Sequence, residues 1–174
     1  MTRTTLEPPK TAYRYRFRVA SADIDEIGHA NNVVWLRWIN DAALAHAETV
    51  GMGPRELLRS LSLLWVVRRH DIEYLQPALE GDEVDVVTWP RSLTGVTSIR
   101  WTLFTREQRL LARAETTWAL IDRNGKLRRV PPEILDAYGF TASADAALRP
   151  SVSEGAAAGG TAARMLRRTI ERSR

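Results

Sequence analysis

Residues 33–50 constrain the fold more than any other stretch. Val34, Trp35, Leu36, Trp38, Ile39, Ala42, Ala43, Leu44, Ala45 and Ala47 leave only a narrow polar stripe of Arg37, Asn40, Asp41 and Glu48. The spacing predicts a helix, and a helix this apolar must be buried on most sides. Arg37 and Asp41 stand four residues apart and are expected to pair on the stripe. Asn31 or Asn32 suits the N-cap, because a short amide side chain accepts from the first free backbone N–H groups. Gly51 and Gly53, with Pro54 beyond, end the helix.

The flanking chain reads as strands. Tyr13, Tyr15, Phe17 and Val19 alternate with Arg14, Arg16 and Arg18, so one face of a strand is buried and the other is wet and cationic. A short helix is expected at 54–60, then strands at 63–75, 84–89, 97–106 and 110–121. Gly81-Asp82 and Asp122-Arg123-Asn124-Gly125 supply tight turns. Pro131 opens a last short helix to about residue 138. The order predicts an α+β fold, an antiparallel β-sheet wrapped around a long central apolar helix. One chain of this size leaves the far side of such a sheet incompletely covered, and a homodimer or homotetramer is the expected remedy.

Composition narrows the class. The 174 residues suffice for one domain with a real core. There is no cysteine, so disulfides, thiol nucleophiles and thiolate-held zinc are excluded. No apolar run of membrane-spanning length occurs, and residues 1–10 lack the apolar block of a secretory leader. A cytoplasmic location is the expectation. The formal net charge of +4 resides in residues 161–174, where Arg164, Arg167, Arg168, Arg172 and Arg174 oppose Glu171. The remainder is balanced, so no nucleic-acid-binding face is expected. A salt-sensitive anionic partner for the tail alone is the weaker alternative. The expected division is a flexible lead-in at 1–12, one domain at 13–140, and a disordered Ala/Gly/Ser linker with a basic tail at 141–174.

Between the first strand and the helix lies Asp23-Ile24-Asp25-Glu26-Ile27-Gly28-His29-Ala30-Asn31-Asn32. Asp23, Asp25 and Gly28 fit the first, third and sixth positions of a calcium loop. Ile27 and Val34 at the fifth and twelfth provide no side-chain oxygen, so that reading fails and no metal site is expected. A Gly-x-Ser-x-Gly elbow and a Walker phosphate loop are both missing. On spacing alone, Asp25 suits a catalytic carboxylate and a locally bonded turn residue equally. Asp23 suits the turn better.

Asp23-x-Asp25-x-x-Gly28-His29-x-Asn31-Asn32-x-x-Trp35-x-x-Trp38 resembles the signature of the hotdog-fold thioesterases, the 4-hydroxybenzoyl-CoA thioesterase-like group. Ile72-x-Tyr74-Leu75-x-Pro77-Ala78 and Gly81-Asp82-x-Val84-x-Val86 extend the likeness, which covers roughly residues 13–138. The His-x-Asn-Asn form is closer to the acyl-ACP thioesterase branch. The resemblance implies hydrolysis of an acyl-CoA or acyl carrier protein thioester by a homo-oligomer with interfacial sites and no cofactor. It implies Asp25 as general base or nucleophile, with His29 assisting. Where that branch often carries asparagine two residues after the catalytic aspartate, this chain has Ile27. Trp35 replaces the usual tyrosine, which narrows the acyl pocket.

Residue chemistry agrees with that assignment. Thioester hydrolysis needs a base or nucleophile and donors for the developing oxyanion. A helix start supplies free N–H groups and partial positive charge. Asn31 and Asn32 stand at that start, and Trp35 one turn on; these are the expected substrate-binding residues. His46 suits a structural role and His70 an exposed or interface position. Arg68, Arg69, Arg91, Arg100 and Arg113 are the candidates for the phosphates of coenzyme A. A hotdog acyl-thioester dehydratase or hydratase, and a non-catalytic acyl-CoA-binding domain, are the alternatives.

Overall fold

The computed structural model describes residues 7–140. The start of the expected lead-in, and the linker and basic tail, lie outside them. Strand β1 (Tyr13–Arg18) alternates as its sequence predicts, with Tyr13, Tyr15 and Phe17 half-buried and the arginines exposed. Its wet face is not left cationic: Arg16 Nε donates to Asp85 at 2.7 Å, and Arg18 donates to Glu83 at 3.2 Å. Helices α1 (Asn32–Thr49) and α2 (Pro54–Ser60) follow, then β2 (Leu63–Tyr74), β3 (Glu83–Thr94), β4 (Thr97–Arg106), β5 (Arg109–Asp122) and α3 (Pro132–Ala137).

All pairings are antiparallel, and the sheet order is β1-β3-β4-β5-β2. The sheet wraps α1, the hotdog arrangement. Trp35, Trp38, Ile39 and Ala42 of α1 pack on Val84 and Val86 of β3, Phe104 of β4, and Ala112 and Ala114 of β5. Aromatic rings meet edge-on at the centre, with Trp35 5.2 Å from Phe104 and 5.0 Å from Trp38. A second cluster, Leu57, Leu63, Leu120 and Ile134, fastens α2 and α3 to the β2–β5 end.

Three expectations change. The helix is not buried on most sides within one chain: Val33 and Leu44 are exposed, and Val34, Leu36, Ala45 and Ala47 are half-buried. The sheet covers α1 on one face, and Tyr138 beyond α3 adds a contact at His46. Arg37 does not pair with Asp41; it reaches back to Asp23, whose buried carboxylate has greater need of a cation. Strand β3 runs through Pro90 to Thr94, past its expected end, because a register shift between Pro90 and Ser92 accommodates the missing N–H. The far side of the sheet is only partly bare. Val87, Trp89 and Leu103 are buried there beside Ala12, Trp101 and Leu110.

Candidate functional site

The loop between β1 and α1 is anchored at both ends. Val19 exchanges backbone hydrogen bonds with the β2–β3 turn: its N–H donates to Asp82 O, and its carbonyl accepts from Gly81 N. A 3-10 turn at Ser21–Asp23 then directs the Asp23 side chain inward, where it is 6% exposed. Arg37 Nη2 donates to its Oδ1 at 2.5 Å, and Asn31 N donates to its backbone carbonyl at 2.9 Å. Asp23 thus ties the loop to the first turns of α1, the structural role its sequence position suits.

From there the chain folds back on itself. Ile24 bridges to Ala30, Asp25 N donates to His29 O at 2.8 Å, and Gly28 N donates to Asp25 O at 3.0 Å. Gly28 has φ +82, which a side chain would strain. Ala30 N reaches Ala78 O at 2.8 Å, pinning the loop to the strand connection. Asp25 is half-buried at the base of this turn. Its Oδ1 accepts from the backbone N–H groups of Ile27 at 3.0 Å and His29 at 3.3 Å. Its Oδ2 accepts from no group among the described residues. Both roles weighed for this aspartate therefore remain compatible: one oxygen builds the turn and the other is open.

Asn31 is the N-cap. Its Oδ1 accepts from Val33 N at 2.9 Å and its carbonyl accepts from Val34 N at 2.9 Å. The backbone N–H of Asn32 meets no acceptor among the described residues, so this is the donor the helix start presents. Tyr74, at the end of β2, brings its hydroxyl 3.5 Å from Asn32 O, and its ring stands edge-on to Trp35 at 5.8 Å. Burial raises the Tyr74 phenol, keeping it a donor. Trp35 itself is buried in the core behind that tyrosine, and the His29 side chain lies on the exposed loop tip. Ile27 (75% exposed) and Val33 (70%) flank the loop, with Tyr74, Leu75 and Leu79 also exposed. Tyr74 falls in the Ile72-x-Tyr74-Leu75-x-Pro77-Ala78 stretch, where nothing along the chain marks it for a role at the site. Its signal was an aromatic at the end of a strand, and only the strand pairing shows that this end meets the helix start.

The arginines sort by partner. Arg69 pairs with Asp71, Arg91 with Glu115 and Arg113 with Glu73. Arg68, at the register shift of β2, is exposed and in no ion pair among the described residues. Arg100 is 5% exposed and opens only onto a mostly apolar cavity between helix and sheet, not onto the surface where the phosphates of coenzyme A would lie, which corrects its place among the candidates. His46 is buried and accepts from Arg100. His70 is half-buried on the helix side of the sheet, with Nδ1 3.0 Å from Thr116 Oγ1, rather than exposed. Among the described residues, no three His, Cys, Asp or Glu side chains gather as metal ligands do, and no helix is long and apolar enough to cross a membrane.

A single helix cradled by an antiparallel sheet is the hotdog fold, and the family match puts the chain among the thioester hydrolases built on it. Within that class the chain belongs to the acyl-ACP thioesterase family, whose N-terminal-domain model matches residues 10–138. Among solved structures it is similar to a probable thioesterase from Bartonella henselae, at 24% identity and TM-score 0.65, over 69% of this chain and 99% of that one. A thioesterase from Thermus thermophilus, solved with coenzyme A and zinc, shares 26% identity over 74% of this chain and 91% of that one, TM-score 0.64. A 1,4-dihydroxy-2-naphthoyl-CoA thioesterase from Synechocystis shares 18% over 73% and 95%, TM-score 0.67. No match was found among curated proteins.

Proposed function

We propose that the chain hydrolyses an acyl thioester of coenzyme A or acyl carrier protein, with Asp25 as the reacting carboxylate. The observation that carries the reading is the divided use of that side chain. Oδ1 is fixed by two backbone donors, which orients the group, while Oδ2 has no donor of its own. An oriented carboxylate with one open oxygen suits attack on a carbonyl or removal of a proton from water. As a nucleophile it forms an acyl anhydride and expels the thiolate; water then cleaves the anhydride and restores the carboxylate. As a base it takes a proton from the water that attacks. In either course negative charge grows on the thioester oxygen. The unpartnered Asn32 N–H and the positive end of α1 suit that charge. Asn31 holds this end of the helix in shape through its cap. We assign His29, exposed on the loop tip, to contact with the thiol carrier, and Trp35 to backing Tyr74 at the acyl entrance.

Both carriers have support. The family model is that of an acyl-ACP thioesterase domain, and the Thermus thermophilus relative was solved with coenzyme A. We further infer a homodimer formed through β2. That strand is an open edge of the sheet, and the exposed Val67, Tyr74 and Leu75 lie along or just beyond it beside the candidate site. The deciding experiment measures thiol release from matched acyl-CoA and acyl-ACP panels. Turnover on either carrier is expected and names it. Saturable binding of both without release of thiol contradicts hydrolysis.

A further inference from the structure

Along α1 from the Asp25 loop, the helix and sheet part to form an open cavity of about 470 Å3. Its centre on the helix, Leu44, lies twelve residues from Asn32, about 18 Å at helical rise. Its walls are mostly apolar: Leu44 and Ala47 from α1, Leu57 from α2, Leu93 from β3 and Trp118 from β5. Arg100 of β4 also lines it, 5% exposed.

This arginine is in no ion pair among the described residues. Its Nη1 donates to His46 Nδ1 at 3.1 Å and to Thr88 Oγ1 at 3.2 Å, which uses both hydrogens of that nitrogen. Thr88 in turn donates to Trp101 O at 2.8 Å, so Thr102, 3.1 Å away, is the donor of that hydroxyl pair. The Tyr138 ring stands 5.7 Å from Cζ; burial holds its phenol above the ordinary range, and the charge of Arg100 and a hydrogen bond from it offset this only in part, so Tyr138 is a neutral partner that brings no negative charge. Asp41, on the cavity rim, forms no ion pair with Arg100. Guanidinium does not give up its proton at any ordinary pH. The chain therefore buries a permanent cation against neutral partners, an arrangement that is costly without an anion. A neutral donor would serve His46 and Thr88 as well. A second group in the same wall is also incomplete: the indole N–H of Trp118 is buried and meets no acceptor among the described residues.

We propose that this cavity binds a carboxylate carried on an apolar body, with Arg100 receiving the carboxylate, Trp118 offering a further N–H, and Leu44, Ala47 and Leu93 enclosing the body. Two sources present this chemistry. One is the far end of a carboxyl-bearing acyl group in the thioester substrate, which rests on the hydrolase reading above. The other is a free carboxylic acid, such as a product of hydrolysis.

The test is calorimetric titration of the full chain with octanoate and with 1-octanol, which share the apolar body and differ in charge. Octanoate is expected to bind at least about tenfold tighter, the size of one charge-assisted hydrogen bond. Arg100→Gln should abolish the difference, and Leu44→Trp, at the exposed mouth, should weaken both ligands. Equal binding of acid and alcohol by the wild type overturns the proposal, as does a preference that survives Arg100→Gln. Should Arg100→Gln fail to fold, Trp118→Phe and Leu44→Trp decide: octanoate binding unchanged in both overturns it. A second arm compares thiol release from suberoyl-CoA and octanoyl-CoA. A preference for the suberoyl ester of about tenfold in kcat/KM, lost in Arg100→Gln, assigns the site to the substrate's far end. Preference for octanoyl-CoA, with octanoate still bound, assigns it to a free acid. Octanoate binding without turnover of either ester upholds the cavity and counts against hydrolysis of coenzyme A esters.

Discussion

Asp23 and Asp25 stand two residues apart and do different work. Asp23 is buried on Arg37, while Asp25 keeps one oxygen open. Arg37→Ala leaves the buried Asp23 carboxylate without its cation and should cost about 1–3 kcal/mol in urea unfolding; an unchanged midpoint would show that the pair holds nothing. His46 gives a second residue-scale prediction. Burial, and then the Arg100 charge, push it down from 6.5 to about 4. Tyr13 stacks on its ring and Tyr138 meets it edge-on, so Arg100 is the one charge facing it among these partners. The unfolded chain binds this proton at higher pH than the folded one. The stability from a neutral His46 is therefore complete above about 6.5 and is lost as pH falls toward about 4. His70, lowered by burial, acts in the same sense. The unfolding midpoint should fall across that window, and less steeply in His46→Gln; equal slopes would contradict the assignment. None of this coupling was legible along the chain. Arg100 reads there as one arginine in an alternating strand, and only the alignment of β3, β4 and α1 makes it a buried cation.

At the scale of elements, α1 organises the site as well as the core. Its length, its apolar content and its end at Gly51 were readable from local chemistry. Its cap was readable only to within one residue, since Asn31 and Asn32 offer the same amide, and the backbone of the preceding loop chooses Asn31. Asn31→Ala should cost about 1 kcal/mol, with Asn31→Asp restoring most of it; thermal unfolding of the pair checks this. Because the cap shapes the helix start that Asn32 presents, kcat should fall in Asn31→Ala more than in Asn31→Asp. The alternation that marked β1, β4 and β5 was legible because each strand has one helix-facing side. The expected end of β3 falls just before Pro90, which breaks a strand in isolation, while the register shift that admits Pro90 is a property of the strand pair.

Across the whole molecule, the apolar surface that one chain leaves open lies mainly along β2 and α1. The sequence pattern asked for a helix covered on most sides, and a single chain covers one. That shortfall supports the dimer proposed above. Sedimentation equilibrium should give twice the chain mass, and Val67→Asp on the open edge should shift the protein toward monomer and lower activity with it. A wild type that sediments as a monomer with full activity would contradict the proposed assembly.

Thiol release by wild type, Asp25→Asn and Asp25→Ala, measured on the best thioester of the panel, tests the central claim most directly. Asparagine keeps the Oδ1 that accepts from Ile27 and His29, so its turn should stay intact while its reactive oxygen is gone. Both variants should lose at least about a hundredfold in kcat, and Asp25→Asn should unfold with the wild-type midpoint. Near-wild-type turnover in Asp25→Asn would make this aspartate a turn residue and remove the reacting group from the account.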